Sequence, residues 1–210
     1  LVNGATTVCG QVFSEGVGIK DCLQSLKPHW DRALSEADGF NAASDGSLRR
    51  GVGVAGMWYG CGNTSLPNPS TIKVAIRNDG QVVLFQGAVD VGQGANTVIT
   101  QICADAAGLD ILNFSLVYGD TDLTADAGKT SASRQTFISG KASYLAGQDL
   151  RKKILRMVNA SEDARLAING SKITAIDTAG RNDIDLAALP ADEDGFVFTG
   201  EGTFDPPTVA

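Results

Sequence analysis

Gly87-Ala-Val-Asp-Val-Gly-Gln-Gly-Ala-Asn-Thr97 lies between two stretches of different periodicity. Before it, Val82-Val-Leu-Phe85 is a short apolar run suited to a buried strand; after it, Val98, Ile99, Ile102, Cys103 and Ala106 recur at helical spacing. A strand that turns through closely set glycines into a helix presents free backbone N–H groups at the positive end of the helix dipole. That arrangement suits an anion, phosphate above all. Gly92 and Gly94 taken alone are equally compatible with an ordinary tight turn.

Upstream, Ile72, Val74 and Ile76 alternate as a half-buried strand, and Asn78-Asp-Gly80 is strong hairpin chemistry. The glycine stretch is therefore delivered by the returning strand of a hairpin. The helix behind it is expected to end at Gly108, and Phe114, Leu116 and Tyr118 alternate as a further strand. A polar loop from Gly119 to Gly128 then leads through Lys129-Thr-Ser-Ala-Ser-Arg-Gln135 into a long helix ending near Val158. Leu150, Ile154, Met157 and Val158 share one face of that helix, and Arg151, Lys152, Lys153 and Arg156 complement the dipole at its end.

Towards the ends of the chain the pattern is weaker. Residues 1–17 suggest an extended arm. Ile19, Cys22, Leu23, Leu26 and Trp30 fall on one helical face that Pro28 is expected to divide into two short helices. A polar loop over residues 38–50 and a glycine-rich strand from Gly51 to Gly60 follow. Beyond the long helix the sequence suggests a hairpin about Asn169-Gly170, a short helix from Asp183 to Leu189 and a strand from Phe196 to Thr199. Sheet followed by helix, twice, predicts an α+β fold: a mixed β-sheet with helices packed mainly on one face. The expected layout is one unit over 1–210, with an arm and helical segment at 1–50, a ligand-contact core at 51–160 and a peripheral segment at 161–210.

The 210 residues are 43% hydrophobic and 20% charged, as in a folded soluble domain, and the net charge of -7 argues against a broad nucleic-acid surface. No run approaches the roughly 18 apolar residues of a membrane span. Cys9, Cys22, Cys61 and Cys103 form no C-x-x-C pair, which fits free thiols in a reducing, cytoplasmic setting rather than a metal centre. His29, the lone histidine, has no triad partner near it in sequence. The chain starts at Leu1 without a methionine and ends Pro206-Pro-Thr-Val-Ala210, as an excised piece of a longer protein would.

Thr130-Ser-Ala-Ser-Arg-Gln135 carries the second chemical signal. Ser131 or Ser133 can cap the long helix, but a cap needs one hydroxyl and three are present. Arg134 at a helix start has the wrong sign for the dipole, so its placement argues for a bound anion held by amides, hydroxyls and a guanidinium. Two such cradles suggest a pyrophosphate or a dinucleotide-like ligand. A rival class is a Mg²⁺-dependent nucleotidyl- or phosphotransferase built on Asp120, Asp122 and Asp126, whose plainer reading is Asx-turn formation. A non-catalytic interaction module is the other.

Asp90-Val-Gly-Gln-Gly-Ala-Asn-Thr97, Val117-Tyr-Gly-Asp-Thr-Asp122 and Lys129-Thr-Ser-Ala-Ser-Arg-Gln135 together resemble, in order and spacing, one known family. It is the molybdopterin-binding subunit of the xanthine oxidase and aldehyde oxidoreductase group, nearest to the bacterial aldehyde oxidoreductases. The resemblance runs from Gln11 to Gly202 and is diagnostic between about Ile72 and Gly147. It implies that Gly92, Gln93 and Gly94, with Thr130, Ser131, Ala132, Ser133, Arg134 and Gln135, grip the pyranopterin and its phosphates, the Gln93 amide approaching the molybdenum. It further implies a molybdopterin cofactor in dinucleotide form and hydroxylation of an aldehyde or N-heterocycle with water-derived oxygen, electrons leaving through 2Fe–2S clusters in other parts of a homo-oligomeric enzyme.

Several family features have no counterpart here. Glu193 and Glu201 do not match the motif of the family's catalytic glutamate, so no catalytic residue is assigned in this chain. The earlier glycine/phenylalanine and arginine segments and the iron–sulfur cysteine motifs are absent as well. Val8-Cys9-Gly10 departs from the family pattern and leaves Cys9 without a role. On this reading the chain supplies part of a cofactor site and does not turn over alone.

Overall fold

A computed structural model describes residues 2–7, 10, 12–14, 16–57, 59–63 and 66–208. The expectation attached to Cys9 lies outside them. The chain divides into two compact units, one ending at Tyr59 and one beginning at Gly60.

In the first unit, Thr6 and Val12 form an isolated antiparallel bridge. Helix α1 then runs unbroken over Ile19–Ala43, with Pro28 inside it. The predicted break at Pro28 does not occur, and the predicted loop from residue 38 begins only after Ala43. A proline removes one i→i−4 bond and crowds one carbonyl; here Lys27–Asp31 at 2.8 Å and Arg32–Glu36 at 4.0 Å brace the turns beside it. His29 Nδ1 accepts from the Arg32 guanidinium at 3.1 Å on the exposed surface. The described residues of 51–60 form no strand, since Gly51, Gly53, Gly56 and Gly60 offer nothing to pack and no neighbouring strand pairs with them.

The second unit is built on a four-stranded mixed sheet. Strand β1 (Ser70–Arg77) and strand β2 (Val82–Gln86) form the expected hairpin, with Val74 opposite Leu84. Helix α2 (Ala95–Ala107) crosses over to β3 (Phe114–Tyr118), which pairs parallel to β2 with Leu84 opposite Leu116. Gly108, in the left-handed conformation, ends α2 as anticipated. Helix α3 (Gln135–Val158) follows, then a separate antiparallel sheet of β4 (Arg165–Asn169), β5 (Lys172–Asp177) and β6 (Gly180–Asp185). Strand β7 (Phe196–Phe204) closes the order β3-β2-β1-β7, longer than its predicted span. The short helix expected from Asp183 to Leu189 is instead the end of β6 and one 3-10 turn, Leu186–Ala188, capped by the Asp185 carboxylate.

Ile72, Val74, Ile76, Val82 and Leu84 project from one face of the larger sheet into a core with Ile99, Cys103, Ala142, Ala146, Leu150 and Ile154, all fully buried. Met157, expected on that buried face, is 54% exposed. Small residues let α3 close on the sheet: a Cβ added to Gly202 would stand 2.2 Å from the Ala142 carbonyl oxygen, and one on Gly200 2.5 Å from that of Ala146. The opposite face buries a second cluster of Ala75, Val83, Phe85 and Phe196, the two rings meeting edge to face with centroids 5.7 Å apart. Burial on both faces explains why β2 has an unbroken apolar run rather than an alternation.

Candidate functional site

Strands β2 and β3 are parallel neighbours, so the loops leaving their C-terminal ends emerge side by side. One is the glycine stretch after Gln86; the other runs from Gly119 to the start of α3. In open sheets with parallel strands this edge is where ligands bind. The topology therefore brings together two motifs that are far apart in sequence.

The first loop is folded around Asp90. One oxygen of its carboxylate accepts from the Gly92 and Gly94 amides at 2.8 and 3.2 Å, and the other accepts from the Asn96 amide at 3.1 Å. These bonds, that from Asn96 foremost and then that from Gly92, hold the Asp90 carboxyl below its ordinary value. The path requires φ of +106° at Gly92 and +80° at Gly94, which glycine alone adopts without strain. Gln93 folds back on its own loop: its Oε1 accepts from the Val91 amide at 2.7 Å, and its Nε2 donates to the Val89 carbonyl at 3.2 Å. Beneath, Gln86 Nε2 donates to Asn96 Oδ1 at 2.5 Å.

The second loop is held from within by Arg134. The side chain is fully buried and its guanidinium donates to the carbonyls of Ala127, Lys129, Asn68 and Pro69. Asn68 is fixed in turn: its Nδ2 donates to the Gly62 and Asn63 carbonyls, and its amide donates to Asp205 at 2.8 Å. This corrects the sequence expectation that the Arg134 guanidinium faces a bound anion. The donor fork is directed inward at backbone oxygens, which a guanidinium serves well because it keeps its charge and fans its N–H groups in a plane.

Ala132 and Ser133 adopt φ of +50° and +54°, a strained left-handed pair for residues with a Cβ. The turn is held by the Gly62 amide donating to the Ala132 carbonyl at 2.7 Å and by Arg134 N donating to the Ser131 carbonyl at 3.1 Å. Helix α3 begins with no side-chain cap, so neither Ser131 nor Ser133 plays the capping role expected of it.

Thr130 joins the two loops. Its hydroxyl donates to the Val89 carbonyl at 2.8 Å and accepts from Gln135 Nε2 at 3.1 Å. Gln135 Oε1 accepts from the Ser139 hydroxyl, which lies 2.9 Å from that of Ser70 in β1. A polar chain thus runs from the first loop to the floor of the sheet. Above it, Val91, Gln93 and the run Thr130–Thr136 line a groove of about 470 Å³. Gln93, Thr130, Ser131, Ala132, Ser133, Arg134 and Gln135 gather there, whereas Gly92 and Gly94 shape the loop behind the wall.

Two groups that organise the site were missed from the sequence. Asp90 had a local signal in the aspartate-x-glycine pattern of an Asx turn; Asn68, between two prolines, had none. The rival metal site is not formed: Asp120 accepts from the Asp122 and Leu123 amides, and Asp126 from that of Gly128. Among the described residues no three His, Cys, Asp or Glu side chains converge on a point, and no helix is long and apolar enough to cross a membrane.

Comparison with known proteins bears on the same region. A xanthine dehydrogenase molybdenum-binding subunit of Escherichia coli is 31% identical over 146 residues, 66% of this chain and 18% of its own length. A xanthine dehydrogenase of Emericella nidulans is 30% identical over 107 residues, 50% of this chain and 8% of its own. The chain thus spans less than a fifth of these relatives. Among solved structures, the aldehyde oxidoreductase of Desulfovibrio desulfuricans superposes with a TM-score of 0.65 at 22% identity, over 99% of this chain and 20% of that one. Quinoline 2-oxidoreductase of Pseudomonas putida does so at 0.57 and 16%, over 97% and 28%. These two likenesses establish a shared fold. The sequence profile of the molybdopterin cofactor-binding domain matches residues 25–207, nearly the whole chain and both loops of the groove, and the protein belongs to that family.

Proposed function

We propose that the groove between the two loops holds the phosphate-bearing end of a molybdenum–pterin cofactor, and that the chain is one part of a molybdenum hydroxylase acting on an aldehyde or N-heterocycle. One observation carries this reading: the 24-residue helix α3 starts without a side-chain cap, behind a turn lined with hydroxyls, at the groove that Gln93 also lines. A long helix favours an anion at its start by dipole and by its first-turn amides together. Ser131, which is exposed, adds a hydroxyl, and the strained Ala132–Ser133 turn stands just before the helix. The Gln93 carboxamide stands at the other wall, where it can donate to the pterin or to a ligand of the metal.

When bound, the cofactor supplies the redox chemistry and a Lewis-acidic metal. The residues of this chain orient it and neutralise its phosphate. The proton-accepting glutamate, the 2Fe–2S clusters and the rest of a homo-oligomeric enzyme belong, in this reading, to other segments, and a dinucleotide form of the cofactor suits two adjoining loops.

The test is the molybdenum and pterin content of the purified enzyme that contains this segment, with Ser131→Asp beside the wild type. A carboxylate at the open helix start repels a phosphate, so the variant is expected to lose most of its molybdenum and pterin while keeping its fold by circular dichroism. Equal content in both proteins would refute the assignment.

A further inference from the structure

In the first unit the chain returns along α1 after the helix ends. Asn41 holds the backbone of Arg50 twice: its Oδ1 accepts from the Arg50 amide at 2.8 Å, and its Nδ2 donates to the Arg50 carbonyl at 2.9 Å. Six residues on, a Cβ added to Gly56 would stand 3.8 Å from Ile19 Cδ1. Asn41 and Ile19 are separated by about 33 Å of helix, whereas six residues of chain reach at most about 22 Å. Residues 50–56 must therefore run extended, with the two helix side chains spanning the rest. Val54 and Gly56 turn towards the helix, and a Cβ on Gly51 or Gly53 would meet nothing, which is the alternation of a strand.

No strand pairs with this segment. Among the described residues, the backbone N–H and C=O groups of 51–57 have no partner. Beside them Leu23, Leu26, Lys27, Trp30 and Val54 line a groove of about 290 Å³, with Leu23, Leu26 and Val54 exposed. Of all α1, only Ala37 is buried. Free backbone groups next to an apolar groove are the two requirements of strand addition, in which the ladder gives affinity and alternate side chains fill the groove. We propose that the groove between α1 and residues 51–57 takes an extended apolar segment of the parent enzyme's remaining polypeptide, which pairs with 51–57 as a β-strand.

The unpaired backbone selects this occupant. A helix laid in the groove would cover the leucines but shield the backbone of 51–57 from water without pairing it. A second copy of the same segment offers only Val52 and Val54 at alternate positions, too little to cover Leu23, Leu26 and Trp30. The chain spans less than a fifth of its relatives, so an enzyme of their length has ample other polypeptide to supply a strand. The glycines suit the role, because Gly51 and Gly53 let a neighbouring backbone approach closely and neither has a positive φ. The inference rests on the chain being one part of a larger enzyme and is independent of where a cofactor's phosphate lies.

Hydrogen–deuterium exchange at single-residue resolution, on the purified enzyme that contains this segment and on the 210-residue chain, reads the pairing. In the chain alone the amides of 51–57 should exchange freely. In the enzyme every second one should slow at least about tenfold, since a strand turns alternate N–H groups to the same neighbour. Val54→p-benzoylphenylalanine in the enzyme should, on irradiation, cross-link to polypeptide outside the 210 residues. Free exchange in the enzyme, equal protection in the chain alone, or slowing without alternation would overturn the inference. So would a cross-link confined to the 210 residues of one copy or two, or none at all. If the bulky variant does not assemble, exchange in the wild type decides alone. No readout involves molybdenum or pterin, so failure here leaves the proposed function standing.

Discussion

The Val89 carbonyl accepts a 2.8 Å hydrogen bond from the Thr130 hydroxyl, 41 positions further along the chain. It fastens the loop after β2 to the loop before α3 at the groove both of them line. The same hydroxyl accepts from Gln135 Nε2, so its removal strands that donor and leaves the Val89 carbonyl with the longer bond from Gln93 Nε2. Thr130→Val keeps the shape and deletes both bonds, at a cost of about 1–2 kcal/mol. For a chain of this size that is a fall in Tm of roughly 2–8 °C. Thr130→Ser should restore most of it. A Thr130→Val protein that melts with the wild type in a calorimeter would mean that the loops are held together by other contacts.

Arg134→Lys tests whether the buried cation is a structural clamp. Lysine keeps the charge but cannot fan donors to the carbonyls of Ala127, Lys129, Asn68 and Pro69. With several buried acceptors left unmatched, the expected loss is at least about 3 kcal/mol, read from the shift of the urea midpoint at constant slope. A near-neutral substitution would instead restore the anion-facing role that the sequence suggested.

That reversal shows what a single sequence conveys and what it does not. The hairpin of β1 and β2, the turn into α2, strand β3 and the start of α3 were all legible, because each is specified by local periodicity and turn residues. The gathering of Gln93 with Thr130–Gln135 was legible as well, through motif order. The direction of the Arg134 side chain was not. It depends on Asn68, 66 positions away, whose carbonyl the guanidinium finds only once β1 is in place. The same holds for β7, which pairs with β1 across the whole length of the unit, and for Pro28, which a helix can absorb when flanking turns support it. Gly51–Gly60 misled in the opposite sense, since strand-like composition without a partner strand makes no strand.

The approach of α3 to β7 predicts a sharp contrast between glycines. Gly202→Ala would set a Cβ 2.2 Å from the Ala142 carbonyl oxygen and 2.5 Å from the Ala146 nitrogen, both rigid backbone atoms. The helix must move away, which costs about 1–3 kcal/mol or more. Gly39, inside α1, would meet nothing within 4 Å, so Gly39→Ala should stabilise its helix by about 0.5–1 kcal/mol. Urea denaturation of the two variants should therefore move in opposite directions. Like-signed shifts would show that the close packing of α3 on the sheet is not what Gly202 is needed for.

Asp90 makes a prediction about acid. Its folded-state carboxyl lies below the ordinary 3.8 because the Asn96 and Gly92 amides favour the charged form. A depressed carboxyl contributes stability that is complete above the unfolded value and is lost as pH falls through the folded one. Asp90→Asn cannot titrate, and its amide oxygen is a weaker acceptor for the same N–H groups. The stability difference between wild type and variant should therefore be constant at neutral pH and shrink below about pH 4. Asp177, held down chiefly by the Ser161 amide, and Asp183, held down chiefly by Lys172, titrate in the same acid range. Both are present in each protein, so their contributions cancel in the difference. Urea midpoints for the pair at a series of pH values give the curve. A difference that stays level, or widens on acidification, would mean that the carboxylate does not hold the loop by its charge.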